Sequence, residues 1–185
     1  MLCETIIIMK LQITNYKKQS NKGFTLIELL LYVSISAALI LAISIFFSLL
    51  LQSRIKNQTM SEVEQQGLKI TQLITQTVRN AGIINSPSQG NVAATLSINT
   101  YTAINNPTIF DLASGIIRIK EGSSLAIALS NSHIIASDFL FENLSRTNTP
   151  GTIRFQFRLT YVNPENRNEY SFSKIFIGSA TLRQP

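Results

Sequence analysis

The sequence predicts an α+β protein: a long N-terminal α-helix, membrane-spanning in its first half and amphipathic in its second, packed on a C-terminal antiparallel β-sheet head. Three observations predict it. Phe24 to Leu51 is an apolar run without Lys, Arg, Asp, Pro or Gly and with one carboxylate, Glu28. Residues 63–81 then carry apolar or small side chains at three- and four-residue steps. Further on, short runs alternate apolar and polar residues between Gly, Pro, Asn and Ser clusters.

The N-terminal residues set the orientation. Residues 1–23 hold Lys10, Lys17, Lys18 and Lys22 against Glu4, so half of the formal charge of +6 lies in an eighth of the chain. A helix rises 1.5 Å per residue, so the 28 residues of the apolar run span about 42 Å, more than the roughly 30 Å hydrocarbon core. Basic residues before the run predict a cytoplasmic N-terminus and a head outside. Arg54 and Lys56 follow the run but lie past Leu51, within reach of headgroups. A plain secretory signal has an apolar core of about 7–15 residues and a small-residue cut site after it. Here the core is twice that, and no Ala-x-Ala follows.

Glu28 is the anomaly. A charged side chain costs roughly 2.5–3.5 kcal/mol at the centre of a membrane helix on insertion scales, so an acid inside such a run marks a functional position. Its surroundings, "KGFTLIELL", place Lys22, Gly23 and Phe24 four to six residues before it. This stretch resembles the processing site of type IV prepilins and of the pseudopilins of type II secretion systems. The resemblance covers residues 17 to about 51. It implies a cleaved basic leader, residues 1–23, with Gly23 the last leader residue and Phe24 the N-methylated first mature residue. It implies that a prepilin peptidase makes the cut, that other pilin or pseudopilin subunits and an inner-membrane assembly platform are partners, and that Glu28 pairs with the amine of a neighbouring subunit. Two unit charges about 4 Å apart attract by about 4 kcal/mol at an effective dielectric of 20, before desolvation. A mismatched register would leave both charges unpaired, so such a pair can set the stagger between subunits.

Further along the same helix, Ser34, Ala37, Ala38 and Ala42 recur at three- and four-residue steps. Small residues allow close helix approach in lipid. No Gly or Pro falls between Phe24 and Gln66, so the helix is expected to run unbroken, unlike many major pilins. Residues 24–51 are thus read as the membrane and assembly helix and 52–81 as the amphipathic helix of the head. Val63, Gly67, Ile70, Leu73, Ile74, Thr77, Val78 and Ala81 form its apolar stripe. Gly82 and Pro87 are the expected stops, giving a helix Phe24–Ala81.

Residues 82–185 read as the β-rich head. "RFQFRLTYV" puts Phe155, Phe157, Leu159 and Tyr161 on one face and Arg154, Gln156, Arg158 and Thr160 on the other. With "EYSFSKIFIGSATL" after the loop "NPENRN" it predicts an antiparallel hairpin. "GIIRIKEGSSLAIAL" predicts a second hairpin turning at Glu121-Gly122-Ser123. "HIIASDFLFENL" predicts a strand, "NVAATLSI" a weaker one, and 82–110 a loop-rich connection. One sheet covered by the helix is expected.

Chemistry is not expected. His133 is the only histidine, so a triad would have to combine it with Asp111 or Asp138, and no G-x-S-x-G elbow is present. Asp111, Asp138 and Glu142 are scattered and form no calcium loop. The one cysteine, Cys3, permits no intrachain disulfide and no cysteine metal site. The mild basic excess of the head lacks the clustered Lys/Arg and aromatics of a nucleic-acid surface. No enzyme, cofactor, metal or nucleic acid is predicted; the lipid bilayer and sibling subunits are. Two function classes remain: a structural, minor subunit of a pilus, secretion or DNA-uptake filament, and a single-pass envelope protein with a ligand-binding head. Gly23 with Glu28 favours the first.

Overall fold

The computed structural model describes residues 23–183. The expected leader, with Cys3, Lys17, Lys18, Lys22 and an alternative start at Met9, falls outside these except for Gly23. The chain divides into two units between Phe47 and Ser48.

The first unit is helical. Helix α1, Leu26–Arg79, begins in it and continues into the second unit without interruption, as the absence of Gly and Pro between Phe24 and Gln66 predicts. Residues 23–54 are exposed all round the helix, Leu26 at 82 % and Ile27 at 77 %. Mean hydropathy reaches 2.5 in its most apolar 18-residue window, so α1 is long and apolar enough to cross a membrane. A helix apolar on every side is stable only surrounded by lipid or by protein.

Among the described residues, the second unit holds the rest of α1 and nine strands in two antiparallel sheets. The first sheet, in the order β1-β3-β4-β5-β6, uses β1 (Ala81–Ser86), β3 (Leu96–Thr100), β4 (Thr108–Ala113), β5 (Ile116–Glu121) and β6 (Ile127–Ala128). The second, β2-β7-β8-β9, uses β2 (Val92–Ala93), β7 (Ile134–Asn143), β8 (Thr152–Tyr161) and β9 (Ser173–Thr181). α1 buries Thr59, Val63, Gly67, Ile70, Ile74 and Val78, one stripe at steps of three and four. That stripe closes a single core with Leu96, Ile98, Phe110 and Ile117 from the first sheet and Phe139, Phe141, Phe155 and Phe157 from the second.

The hairpins at β5–β6 and β8–β9 form as the alternation predicts. Three features differ. There are two sheets, not one. Residues 82–110 carry most of β1, all of β2 and β3 and the first half of β4, where a loop-rich connection is expected; Leu96, Ile98, Thr108 and Phe110 are fully buried there, and the Thr108 hydroxyl donates to the Asn105 carbonyl at 2.9 Å. The helix ends at Arg79, and Ala81 is buried as the first residue of β1 rather than as the last of the helix. Strand β7 also changes face midway. Ile134 and Ala136 are buried, then Phe139 and Phe141, because the register against β8 shifts between Ser137 and Leu140 with Asp138 at φ 51. The bulge spends one extra residue to bring the two phenylalanines back to the core side.

Gly67 shows what the core demands of α1. A helix-interior glycine costs about 1 kcal/mol relative to alanine. Here a Cβ would lie 2.0 Å from Cζ of Phe176, whose ring stacks on Phe157 at 5.3 Å. The ring occupies the space a side chain would take. Gly67→Ala should therefore lose more in packing than it gains in propensity, a net destabilisation of about 1–3 kcal/mol. Urea unfolding of the head from Gln52 onward checks this; a raised midpoint would mean that Phe176 gives way freely.

Candidate processing and assembly site

The expected site residues lie at the start of α1. Thr25 precedes the first helical residue, and its Oγ1 accepts a hydrogen bond from the Glu28 backbone N–H at 3.3 Å. Its carbonyl accepts the next bond, from Leu29 N–H, at 3.1 Å. Thr25 is thus the N-cap and Glu28 the third residue of the first turn, the T-x-x-E spacing of a capping box. This part of the site was legible in the sequence, yet the resemblance draws attention to Glu28 alone and Thr25 is missed.

The cap fixes the electrostatics of Glu28. A carboxylate in the first turn meets the positive end of the helix dipole, typically worth 0.3–1 kcal/mol. That is well short of the roughly 2.5–3.5 kcal/mol charged in hydrocarbon. The helix end lowers the cost of Glu28 in an apolar setting without removing it, so a water-poor environment still requires a cation.

Phe24 stands just before the cap and sets its ring edge-on to Tyr32, with centroids 6.0 Å apart. Both line a shallow apolar groove with Leu29, Val33, Ser36, Ala37 and Ile40. Among the small residues, Ala37 borders this groove, whereas Ser34, Ala38 and Ala42 fall on another side of the helix at 100° per residue. Ser34 donates its hydroxyl to the Leu31 carbonyl at 2.8 Å, so it needs no polar partner from a neighbouring helix. Gly23 is exposed, and a Cβ there would meet nothing within 4 Å. The fold of this chain makes no demand for glycine at 23.

The residues weighed for chemistry are separated. Asp111 receives a forked bond from Arg118 at 2.9 and 2.7 Å. Asp138 pairs with Arg158 at 2.8 Å. His133 Nδ1 lies 3.2 Å from Glu62, which also accepts from Asn131 at 2.6 Å. Each candidate thus holds a different partner, and no nucleophile–base–acid set forms. Among the described residues no group of three or more His, Cys, Asp or Glu could hold a metal. The pKa shifts follow the same structural pairs. Hydrogen bonds to Asp111 and Glu169 raise Arg118 and Arg167. Glu169 is lowered by its own backbone N–H first and then by Arg167. Burial, then the Glu62 carboxylate, pushes the Tyr161 phenol up.

Residues 18–44 match the family described as the prokaryotic N-terminal methylation motif. The chain carries the signature of the type IV prepilin and pseudopilin family. The match encloses Gly23, Phe24, Thr25, Glu28, Ser34, Ala37, Ala38 and Ala42. No characterised protein and no solved structure gives a match. A prepilin-type motif belongs to structural, pilin-like proteins rather than to enzymes. It implies processing by a prepilin peptidase and assembly with other pilin subunits. The exposed apolar half of α1 is consistent with a membrane-anchored, pilin-like protein.

Proposed function

We propose that this chain is a minor structural subunit of a type IV pilus or pseudopilus filament. The leader, residues 1–23, is cut after Gly23 from the cytoplasmic side, Phe24 is methylated, residues 24–51 hold the subunit in the membrane and then in the filament, and the head stands outside. Glu28 pairs with the N-terminal amine of a neighbour, while Ser34, Ala38 and Ala42 allow close helix approach. The observation that carries this reading is the placement of Glu28. It is the one carboxylate of the apolar run Phe24–Leu51, held in the first turn of α1 and four residues along the chain from the amine that cutting at Gly23 would create. The minor role rests on the unbroken α1 and the two-sheet head.

Intact mass of the membrane-extracted protein is expected to correspond to residues 24–185 plus one methyl group. Because a side chain at 23 meets nothing in this fold, Gly23→Leu should fold and insert normally while keeping its leader. Normal cleavage of that variant would overturn the reading.

A further inference from the structure

Hydrolysis of a peptide bond needs its carbonyl group free, because water attacks the carbon while the oxygen takes up charge that the enzyme must stabilise. The bond in question, Gly23–Phe24, lies less than one turn before the first helical residue, Leu26. In an α-helix each N–H donates to the carbonyl four residues back. One further turn would therefore tie the Gly23 carbonyl to Ile27 N–H and the Phe24 carbonyl to Glu28 N–H. Neither bond forms. Residues 23–25 stand outside the helix, and the Glu28 N–H goes to Thr25 Oγ1 at 3.3 Å. The ladder ends on the Thr25 carbonyl, which accepts from Leu29 N–H at 3.1 Å. Among the described residues no backbone hydrogen bond reaches the carbonyl of Gly23 or of Phe24. The Thr25 hydroxyl thus takes the donor that would otherwise carry the ladder one residue nearer the cut.

A second hold acts on Phe24. Its ring meets Tyr32 edge-on with centroids 6.0 Å apart, and Leu29 lines the same groove. Phe24, just before the cap, and Leu29, fourth in the helix, occupy the two positions of a hydrophobic staple, which fixes the angle at which the chain enters a helix. Tyr32 extends that staple by a turn. We infer that Thr25 and Tyr32 are positioning residues for leader removal. Thr25 stops the helix short of the cut and Tyr32 anchors the Phe24 ring, so the Gly23–Phe24 peptide reaches the peptidase extended and with its carbonyl free. The peptidase supplies the chemistry: a water oxygen bonds to the Gly23 carbonyl carbon, the bond to the Phe24 nitrogen breaks, and a proton moves to that nitrogen. The products are a carboxyl group on Gly23 and an amine on Phe24. The inference rests on the reading that the chain is cut after Gly23. Glu28→Ala keeps the backbone donor, so it leaves this cap standing.

Full-length precursors in detergent, mixed with a prepilin peptidase, test this by their initial cleavage rates. Thr25→Val keeps the branched shape but loses the acceptor, and kcat/KM should fall about fivefold, the factor that matches a lost cap. Thr25→Asn has another shape but caps at least as well as threonine, so it should be cut at the wild-type rate. Tyr32→Ala should cost about threefold, whereas Tyr32→Phe keeps the ring and should cost nothing. Gly23–Phe24 is the one Gly-Phe step in the chain. Glycine labelled at the carbonyl carbon and phenylalanine labelled at the nitrogen therefore give a single correlated NMR signal. Its carbonyl shift should move toward helical values in Thr25→Val and stay in place in Thr25→Asn. If the wild type is cut after Gly23 and both Thr25→Val and Tyr32→Ala keep its rate, the positioning role alone is overturned. Slow cleavage of Thr25→Asn with an unmoved carbonyl signal also overturns it, because the peptidase then reads the threonine itself. A wild-type precursor that is not cut after Gly23 overturns the filament reading and this inference together.

Discussion

Phe157→Ala is expected to destabilise the head by about 3–5 kcal/mol, a large share of the 5–15 kcal/mol typical of a whole domain. Phe157 is fully buried. Its ring stacks on Phe176 at 5.3 Å, lies parallel to Phe155 at 6.5 Å and meets Phe139 edge-on at 6.1 Å. The cavity would therefore open at the point where β7, β8, β9 and, through Phe176 on Gly67, helix α1 meet. None of these neighbours can fill it cheaply. Phe139 is fixed by the bulge in β7, and Phe176 is already pressed against the helix backbone. Urea unfolding of the head from Gln52 onward gives the number. A loss below about 1 kcal/mol would mean that the cluster repacks, and that the aromatic stack is not what joins the second sheet to α1.

The same cluster shows what the sequence could reveal. β8 was legible because Phe155, Phe157 and Leu159 alternate with Arg154, Gln156 and Arg158, and burial follows that alternation. The α1 stripe was legible because a helix repeats its buried face every three or four residues. Residues 82–110 were not. There the large apolar inward residues are few, Leu96, Ile98 and Phe110, and they stand among Ser, Asn and Thr, which favour turns when no sheet partner is in view. The pairing of β2 with β7, Val92 opposite Glu142, is a long-range fact that no local window contains. In β7 the strand itself was legible, but the bulge at Ser137-Asp138 breaks the period from which its buried face would be read. At the candidate site the family resemblance drew the eye to Glu28, while the local chemistry of Thr25, a threonine three residues before a glutamate, went unread.

That overlooked cap decides how Glu28 must be tested. Glu28→Ala should insert, since removing a charge makes insertion easier, and it should still be cut, because the bond lies before it and Gly23 is intact. It should enter filaments poorly. If half of the gross 4 kcal/mol of an ion pair survives desolvation, each docking step weakens about 30-fold. The visible outcome is cleaved, membrane-resident protein that is depleted from filaments. Alanine, however, removes both the charge and a side chain suited to the third position of the T-x-x-E spacing. Glu28→Gln separates them, because glutamine serves as well as glutamate in the box but carries no charge to set against an amine. Pairing predicts that Glu28→Gln fails as badly as Glu28→Ala, whereas a capping role alone predicts wild-type assembly. Cysteines placed near Phe24 and Glu28 of neighbouring chains report the contact directly, and it should vanish in both variants. Assembly of Glu28→Gln at wild-type levels would reduce Glu28 to a helix-start residue and leave the stagger between subunits to the apolar groove beside Phe24 and Tyr32.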